Sequence, residues 1–167
     1  MSATRIPNGL FLAIVLATIV QCLHDFPLLP DRLASHFAAS GMPNGWMTKT
    51  QFMAMYGVVL LPVLAIEFWV SRRIANQPDA RINLPNKEYW LAAERRTETF
   101  AYFDRFCAWY GCVFLFVEVF AMGLAMRANF DSPPRLPTGP IVSIIVGFVL
   151  FNVAAILGLL RRFSRAR

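Results

Sequence analysis

The sequence predicts an all-α integral membrane protein with four transmembrane helices, both termini cytoplasmic, a structured outer loop and an interfacial inner helix. Three observations predict it. Hydrophobic residues make up 57% of the 167 residues and charged residues 16%, against roughly 25% charged in an ordinary soluble domain. The apolar residues are gathered into four long runs, and the basic residues are shared unequally among the segments between them. The mean hydropathy of +0.50 agrees. A disordered or collagen-like chain is excluded by this composition, and three cysteines cannot staple a disulfide scaffold. Stretches with no charge to turn toward water also argue against a water-soluble globule.

The four runs are Gly9–Leu23, Phe52–Val70, Phe106–Met126 and Ile141–Leu160, within a single integral domain spanning residues 1–167. At about 1.5 Å per residue, runs of roughly 20 residues match a hydrocarbon core of about 30 Å. The first run is the shortest. It borrows Ile6–Asn8 and His24 at its ends, or tilts in a locally thinned bilayer. Arg5 ahead of it resembles the start of a secretion signal, but no small-x-small cleavage site follows and Gln21 precedes Cys22. The segment therefore reads as a retained helix.

Charge sets the direction. With the N-terminus inside, twelve of the 16 basic residues lie on inner segments, and only Arg32, Lys49, Arg127 and Arg135 lie outside. This bias follows the positive-inside rule and places both termini in the cytoplasm. The net charge of +6 is accounted for by topology and anionic lipid at the inner face, with no role for nucleic acid.

The outer loop, residues 24–51, is rich in turn formers: Pro27, Pro30, Gly41, Pro43 and Gly45. A short helix over Asp31–Ala39 capped by Asp31 is expected, then a turn at Pro43-Asn44-Gly45-Trp46 with Trp46 at the membrane interface. The stretch from Leu29 to Trp46, followed by Lys49, closely resembles a bacterial membrane domain of unknown function. Its signature is a proline-aspartate pair, a histidine-phenylalanine pair, a glycine, a proline-x-glycine turn and a lysine. In this chain these are Pro30-Asp31, His36-Phe37, Gly41, Pro43-Asn44-Gly45 and Lys49. The same domain forms the N-terminal part of SdpI-type immunity proteins, which protect cells from a secreted toxin peptide and act in signalling. The inner segment Ile82–Leu91 is similar to that of single-domain members. The resemblance implies location in the bacterial inner membrane and an extracytoplasmic peptide as ligand, bound through Asp31, His36, Phe37, Gly41 and Lys49.

The inner loop, residues 71–105, contains Asn86–Arg105, a helix-forming segment with mixed charges and the apolar residues Tyr89, Trp90, Leu91, Phe100 and Phe103. A helix lying on the membrane surface and running into the third span fits these features. It is an interfacial anchor or, through Tyr89 and Trp90, a docking surface for a partner protein.

Glu118 sits near mid-membrane in the third span. A carboxylate there costs on the order of 3 kcal/mol, so it is expected protonated or paired. Asn152 in the fourth span is the nearest partner in depth, and the alternative is a proton relay or ligand-pairing role. Glu67, near the inner end of the second span, is expected to pair with Arg72 and Arg73. Pro62 in the same span is expected to kink it. His24, His36, Asp25 and Asp31 match no compact zinc spacing, so no metal is assigned. Cys22, Cys107 and Cys112 form no C-x-x-C pair and read as inert thiols. No phosphate loop or nucleophile elbow is present, so neither enzyme chemistry nor a cofactor is expected. Ser143, Gly147, Ala154 and Gly158 share one face of the fourth span, which suits a close contact within the chain, with a membrane-protein partner or in a homo-oligomer.

Three functions fit. The first is a binding and protection module, as the resemblance implies. The second is a small accessory subunit of a larger membrane complex, and the third a minimal proton-coupled transporter using Glu118.

Overall fold

A computed structural model describes residues 4–65, 69 and 71–164. The chain runs α1 (Arg5–Asp25), β1 (Arg32–Phe37), β2 (Pro43–Thr48), α2 (Lys49–Ala65), α3 (Ser71–Ala75), a 3-10 turn (Asp79–Arg81), α4 (Lys87–Trp90), α5 (Ala93–Ala128) and α6 (Thr138–Phe163). Three of these, α1, α5 and α6, are long and apolar enough to cross a membrane. As described, α2 has 17 residues, and the rest of the expected second span except Trp69, Glu67 included, lies outside the described residues.

The central element is α5. Its 36 residues, about 54 Å at helical rise, join the expected third span to the inner segment from Ala93 in one rod. The helix expected over Asn86–Arg105 does run into the third apolar run, but it begins at Ala93 and not at Asn86. The backbone is extended at Ala92, which separates the single turn of α4 from α5, and the Thr99 hydroxyl donates to the Trp90 carbonyl to hold the corner. Residues Ala93–Arg105 therefore belong to the same helix as the third apolar run.

Side chains set the directions of the other helices. Cys112 Sγ donates to the Pro7 carbonyl, and Gln21 lies beside Gly123, so α1 and α5 run parallel. Phe52 and Tyr56 of α2 pack with Leu29, Leu33 and Met126, whereas Val63 packs with Phe11, Cys112 and Leu115, so α2 is antiparallel to both. The last helix, α6, is antiparallel to α5. Phe148 stacks on Phe114 with centroids 5.5 Å apart, and Phe151 lies against Tyr110 at 5.7 Å. No residue of α6 before Phe163 is buried. Val142, Ile145, Val149, Leu150, Val153 and Ile156 face outward, as suits a helix solvated by lipid.

The outer loop corrects the all-α expectation. Arg32–Phe37 and Pro43–Thr48 pair as an antiparallel hairpin in place of the expected helix over Asp31–Ala39. The Pro43–Trp46 segment is strand, and the chain reverses instead at residues 38–42. There the Ala38 N–H donates to the Met42 carbonyl and the Gly41 N–H to Ala38. The cause lies in packing: Leu33 and Ala34 are fully buried side by side on β1, and Leu33 joins the cluster with Leu29, Phe52, Tyr56 and Met126. A helix over these residues would forgo the strand pairing that satisfies their backbone groups.

Candidate functional site

The outer hairpin is fastened to the helix bundle at three points. At the first, Asn129 just past α5 uses its buried amide to complete the outer edge of β1. The Ala34 N–H donates to Asn129 Oδ1 at 2.6 Å, and Nδ2 donates to the Ala34 carbonyl at 2.9 Å and to Ala125 at 2.8 Å. The amide thus supplies what a neighbouring strand would.

At the second point, the Leu136 N–H donates to the Gly41 carbonyl at 2.9 Å. Gly41 has φ +80°, and a Cβ there would lie 2.4 Å from the Leu136 carbonyl oxygen, so only glycine fits. The third point is the junction of β2 with α2. The Thr48 hydroxyl accepts from the Gln51 N–H, and Gln51 Oε1 accepts from the Thr48 N–H at 3.1 Å. This reciprocal pair is a capping box, legible in Thr48-Lys49-Thr50-Gln51.

The five residues of the resemblance fall on this hairpin but do not converge. Asp31 and Lys49 meet at its base, 3.0 Å apart, with the ammonium 5.4 Å from the Phe26 ring. His36 is five residues along β1, roughly 16 Å away at strand rise. It is exposed, its ring lies across Gly45, and Ser35 Oγ is 3.1 Å from Nδ1. A Cβ on Gly45 would lie 3.0 Å from His36 Cβ, so this glycine makes room for the imidazole. Phe37 is half-buried, and Gly41 serves the docking of the turn. A compact pocket centred on His36 and Lys49 is therefore not formed.

Among the described residues, one backbone edge is open. The Lys49 N–H donates to the Asp31 carbonyl across the base of the hairpin, and the register pairs Leu33 with Met47 and Ala34 with Trp46. Antiparallel alternation then turns the N–H and C=O of both Ala34 and Trp46 away from each other. Asn129 occupies those of Ala34. Those of Trp46 face outward on β2, beside an exposed indole. Two register shifts follow this pair on its turn side, between Ala34 and His36 and again between His36 and Phe37.

The other candidates fall elsewhere. Asn152 does not pair with Glu118. Its Oδ1 accepts from the Tyr110 hydroxyl at 2.7 Å and its Nδ2 donates to the Phe148 carbonyl, because Asn152 faces the turn of α5 nearer the inner end. Trp90 is engaged within the chain: its indole N–H donates to the Phe163 carbonyl at 3.1 Å, alongside Asn86 Nδ2 at 3.0 Å. Tyr89 lies 4.0 Å beneath the Arg95 guanidinium. Tyr89 and Trp90 thus give part of their surface to Arg95 and α6, and both remain half-buried. Ser143, Gly147, Ala154 and Gly158 are all exposed, on a face turned away from α5, and no side chain approaches Gly147 or Gly158. Among the described residues no three His, Cys, Asp or Glu side chains gather as metal ligands, and His24 is hydrogen-bonded to Asp25 at 2.9 Å.

Sequence reasoning passed over Asn129, Leu136, Tyr110 and Phe163. Only the capping box carried a local signal; each of the others acts on a residue distant in sequence.

Residues 13–66, which hold most of α1, the hairpin and α2, match the family described as a domain of unknown function (DUF1648). The resemblance read from Leu29–Trp46 and Lys49 lies inside this segment. No curated protein and no solved structure matches the chain.

Proposed function

We propose that the chain is a multi-pass protein of the bacterial cytoplasmic membrane, with four spans and both termini inside, whose outer hairpin binds an extracytoplasmic peptide. The role is protective, similar to that of SdpI-type immunity proteins. It involves no enzyme chemistry and no cofactor. The alternating directions of α1, α2, α5 and α6 and the inward bias of basic residues support this topology.

One observation carries the binding role: a hairpin fixed at three points that still presents an open strand edge at Trp46. Pre-organised backbone of this kind receives an extended peptide without ordering cost on the receiving side. The test is deletion of the gene followed by challenge with membrane-active peptides secreted by neighbouring bacteria. Sensitisation to at least one peptide, reversed by the wild-type chain but not by Trp46→Ala or His36→Ala at equal membrane abundance, is expected. Full rescue by both variants would refute the role given to the hairpin.

The exposed small-residue face of α6 favours a second reading, an accessory subunit of a larger membrane complex. Native mass spectrometry of the tagged chain, extracted in mild detergent, separates the two. A stoichiometric complex with a different membrane protein would favour the subunit.

A further inference from the structure

The connection between α5 and α6 lies against the turn of the hairpin, and the two flank an open cleft of about 360 Å³. Sites for small molecules commonly measure roughly 300–1,000 Å³. The cleft is lined by Ser40 from the turn, by Asp131, Arg135, Leu136 and Pro137 from the connection, and by Thr138 at the start of α6. Its backbone is held on both sides. The Arg135 N–H donates to the Ala128 carbonyl at 3.3 Å, and the Leu136 N–H donates to the Gly41 carbonyl at 2.9 Å. Pro133, Pro134 and Pro137 restrict the connection further. A ligand entering the cleft therefore meets side chains on a backbone already ordered.

Two opposite charges line this cleft without meeting. Asp131 and Arg135 are both exposed, and among the described residues neither side chain makes a hydrogen bond or an ion pair. At the base of the hairpin, by contrast, Asp31 and Lys49 meet at 3.0 Å. A ligand carrying one cation and one anion answers both free charges at once, and the hydroxyls of Ser40 and Thr138 add donors to its anion. A ligand of one sign only would bring a like charge against Asp131 or Arg135. The place of the cleft indicates the source of such a ligand. Thr138 opens a membrane-length helix with no buried residue before Phe163, and Val142, Ile145, Val146 and Val149 are exposed along it. Val142 is four residues, about 6 Å, past Thr138. A lipid with its headgroup in the cleft can lay its chains along α6.

We propose that this cleft is the headgroup site of a phosphatidylethanolamine-type lipid in the leaflet on the hairpin side. The ammonium pairs with Asp131, and the phosphate takes Arg135 and the hydroxyls of Ser40 and Thr138. Trp46 does not line the cleft, so the site stands apart from the peptide-binding edge and does not depend on that reading. It requires only that α5 and α6 cross the membrane.

The test is a lipid titration followed by native mass spectrometry on the full-length protein, delipidated in mild detergent. The probes share the same acyl chains and differ in headgroup: phosphatidylethanolamine, its N-methyl and N,N-dimethyl derivatives, phosphatidylcholine and phosphatidylglycerol. Affinity should fall along the methylated series, by about tenfold in all, as methyl groups replace the N–H donors that face Asp131. Phosphatidylglycerol should bind more weakly than phosphatidylethanolamine. Asp131→Asn should bring phosphatidylethanolamine down to the level of phosphatidylcholine, whereas Arg135→Gln should weaken both by about tenfold, since both carry the phosphate. Arg127→Gln, exposed and outside the cleft, should change neither. Equal affinity across the wild-type series overturns the site whatever the variants do, and so does tightest binding of phosphatidylglycerol. Unchanged headgroup preference in folded Asp131→Asn also overturns it. Glycerophosphoethanolamine, which has no chains, should not displace the lipid at matched concentration. Displacement would assign the cleft to a soluble zwitterion and overturn the lipid as its occupant.

Discussion

The two ends of α5 are both tied to distant parts of the chain, but by different forces. At the outer end the ties are neutral hydrogen bonds between buried groups: the Asn129 amide on Ala34 and the Leu136 N–H on Gly41. At the inner end they are rings and guanidinium groups. Phe163 is buried, lies flat on Phe103 at 5.1 Å, and meets Trp90 and Tyr102 edge-on. Arg162 spreads over Tyr102 at 4.1 Å and reaches the exposed Glu98 at 3.3 Å. Arg96 pairs with Asp79 beside it. The difference follows from the two surroundings. The Phe163 end carries many arginines, and stacking them on rings uses charge already present. The Asn129 end must fasten a strand edge, which amide groups do directly.

Breaking each end separately sharpens this contrast. Phe163→Ala should have the largest effect, a loss of about 3 kcal/mol, because it empties the centre of the cluster with Ile82, Leu84 and Leu91. Thermal unfolding in detergent should report it, with new protease cleavage confined to residues 76–92. Gly41→Val should cost about 2 kcal/mol through the positive φ and the Leu136 carbonyl in its path. Here cleavage should appear in the outer loop and not in the inner one. If both variants open both ends together, the two ties are one cooperative unit and the contrast fails.

Asn129→Ala should follow at about 1–2 kcal/mol, since it strands the Ala34 N–H and C=O in a buried site. Its effect should not change with salt, as no ionic group takes part. Glu98→Gln should be the smallest, below about 0.5 kcal/mol, because the carboxylate is 75% exposed and screened. Its small effect should shrink further at high salt. A large salt-dependent loss would mean that ion pairing, not ring packing, holds the inner end.

The parts of this molecule differed in how far the sequence revealed them. The helices of the first, third and fourth apolar runs were legible because a run of 15 to 21 residues with at most one charge has few alternatives to a membrane-length helix. The hairpin was not. Its two buried residues, Leu33 and Ala34, are adjacent instead of alternating, and two bulges break the period of two that marks a strand. Ala34, Ala38 and Ala39 lent the same stretch a helical appearance. For the candidate site, Asp31, His36, Phe37, Gly41 and Lys49 were grouped because the family resemblance implied one binding surface. An extended strand instead carries His36 and Lys49 to opposite ends.

Composition and local pattern determined that α1, α5 and α6 are membrane-length helices, and which segments between them carry charge. These properties depend on transfer free energies summed along the chain, which neighbours in space alter little. Tertiary structure alone decided that residues 32–48 form strands, that Asn152 joins Tyr110 and not Glu118, and that Trp90 closes over Phe163. Each of these rests on a partner 40 or more residues away or on a backbone edge that must be satisfied. Short-range propensity, worth at most about 1 kcal/mol per ordinary residue, yields to such contacts wherever burial would otherwise leave a polar group alone.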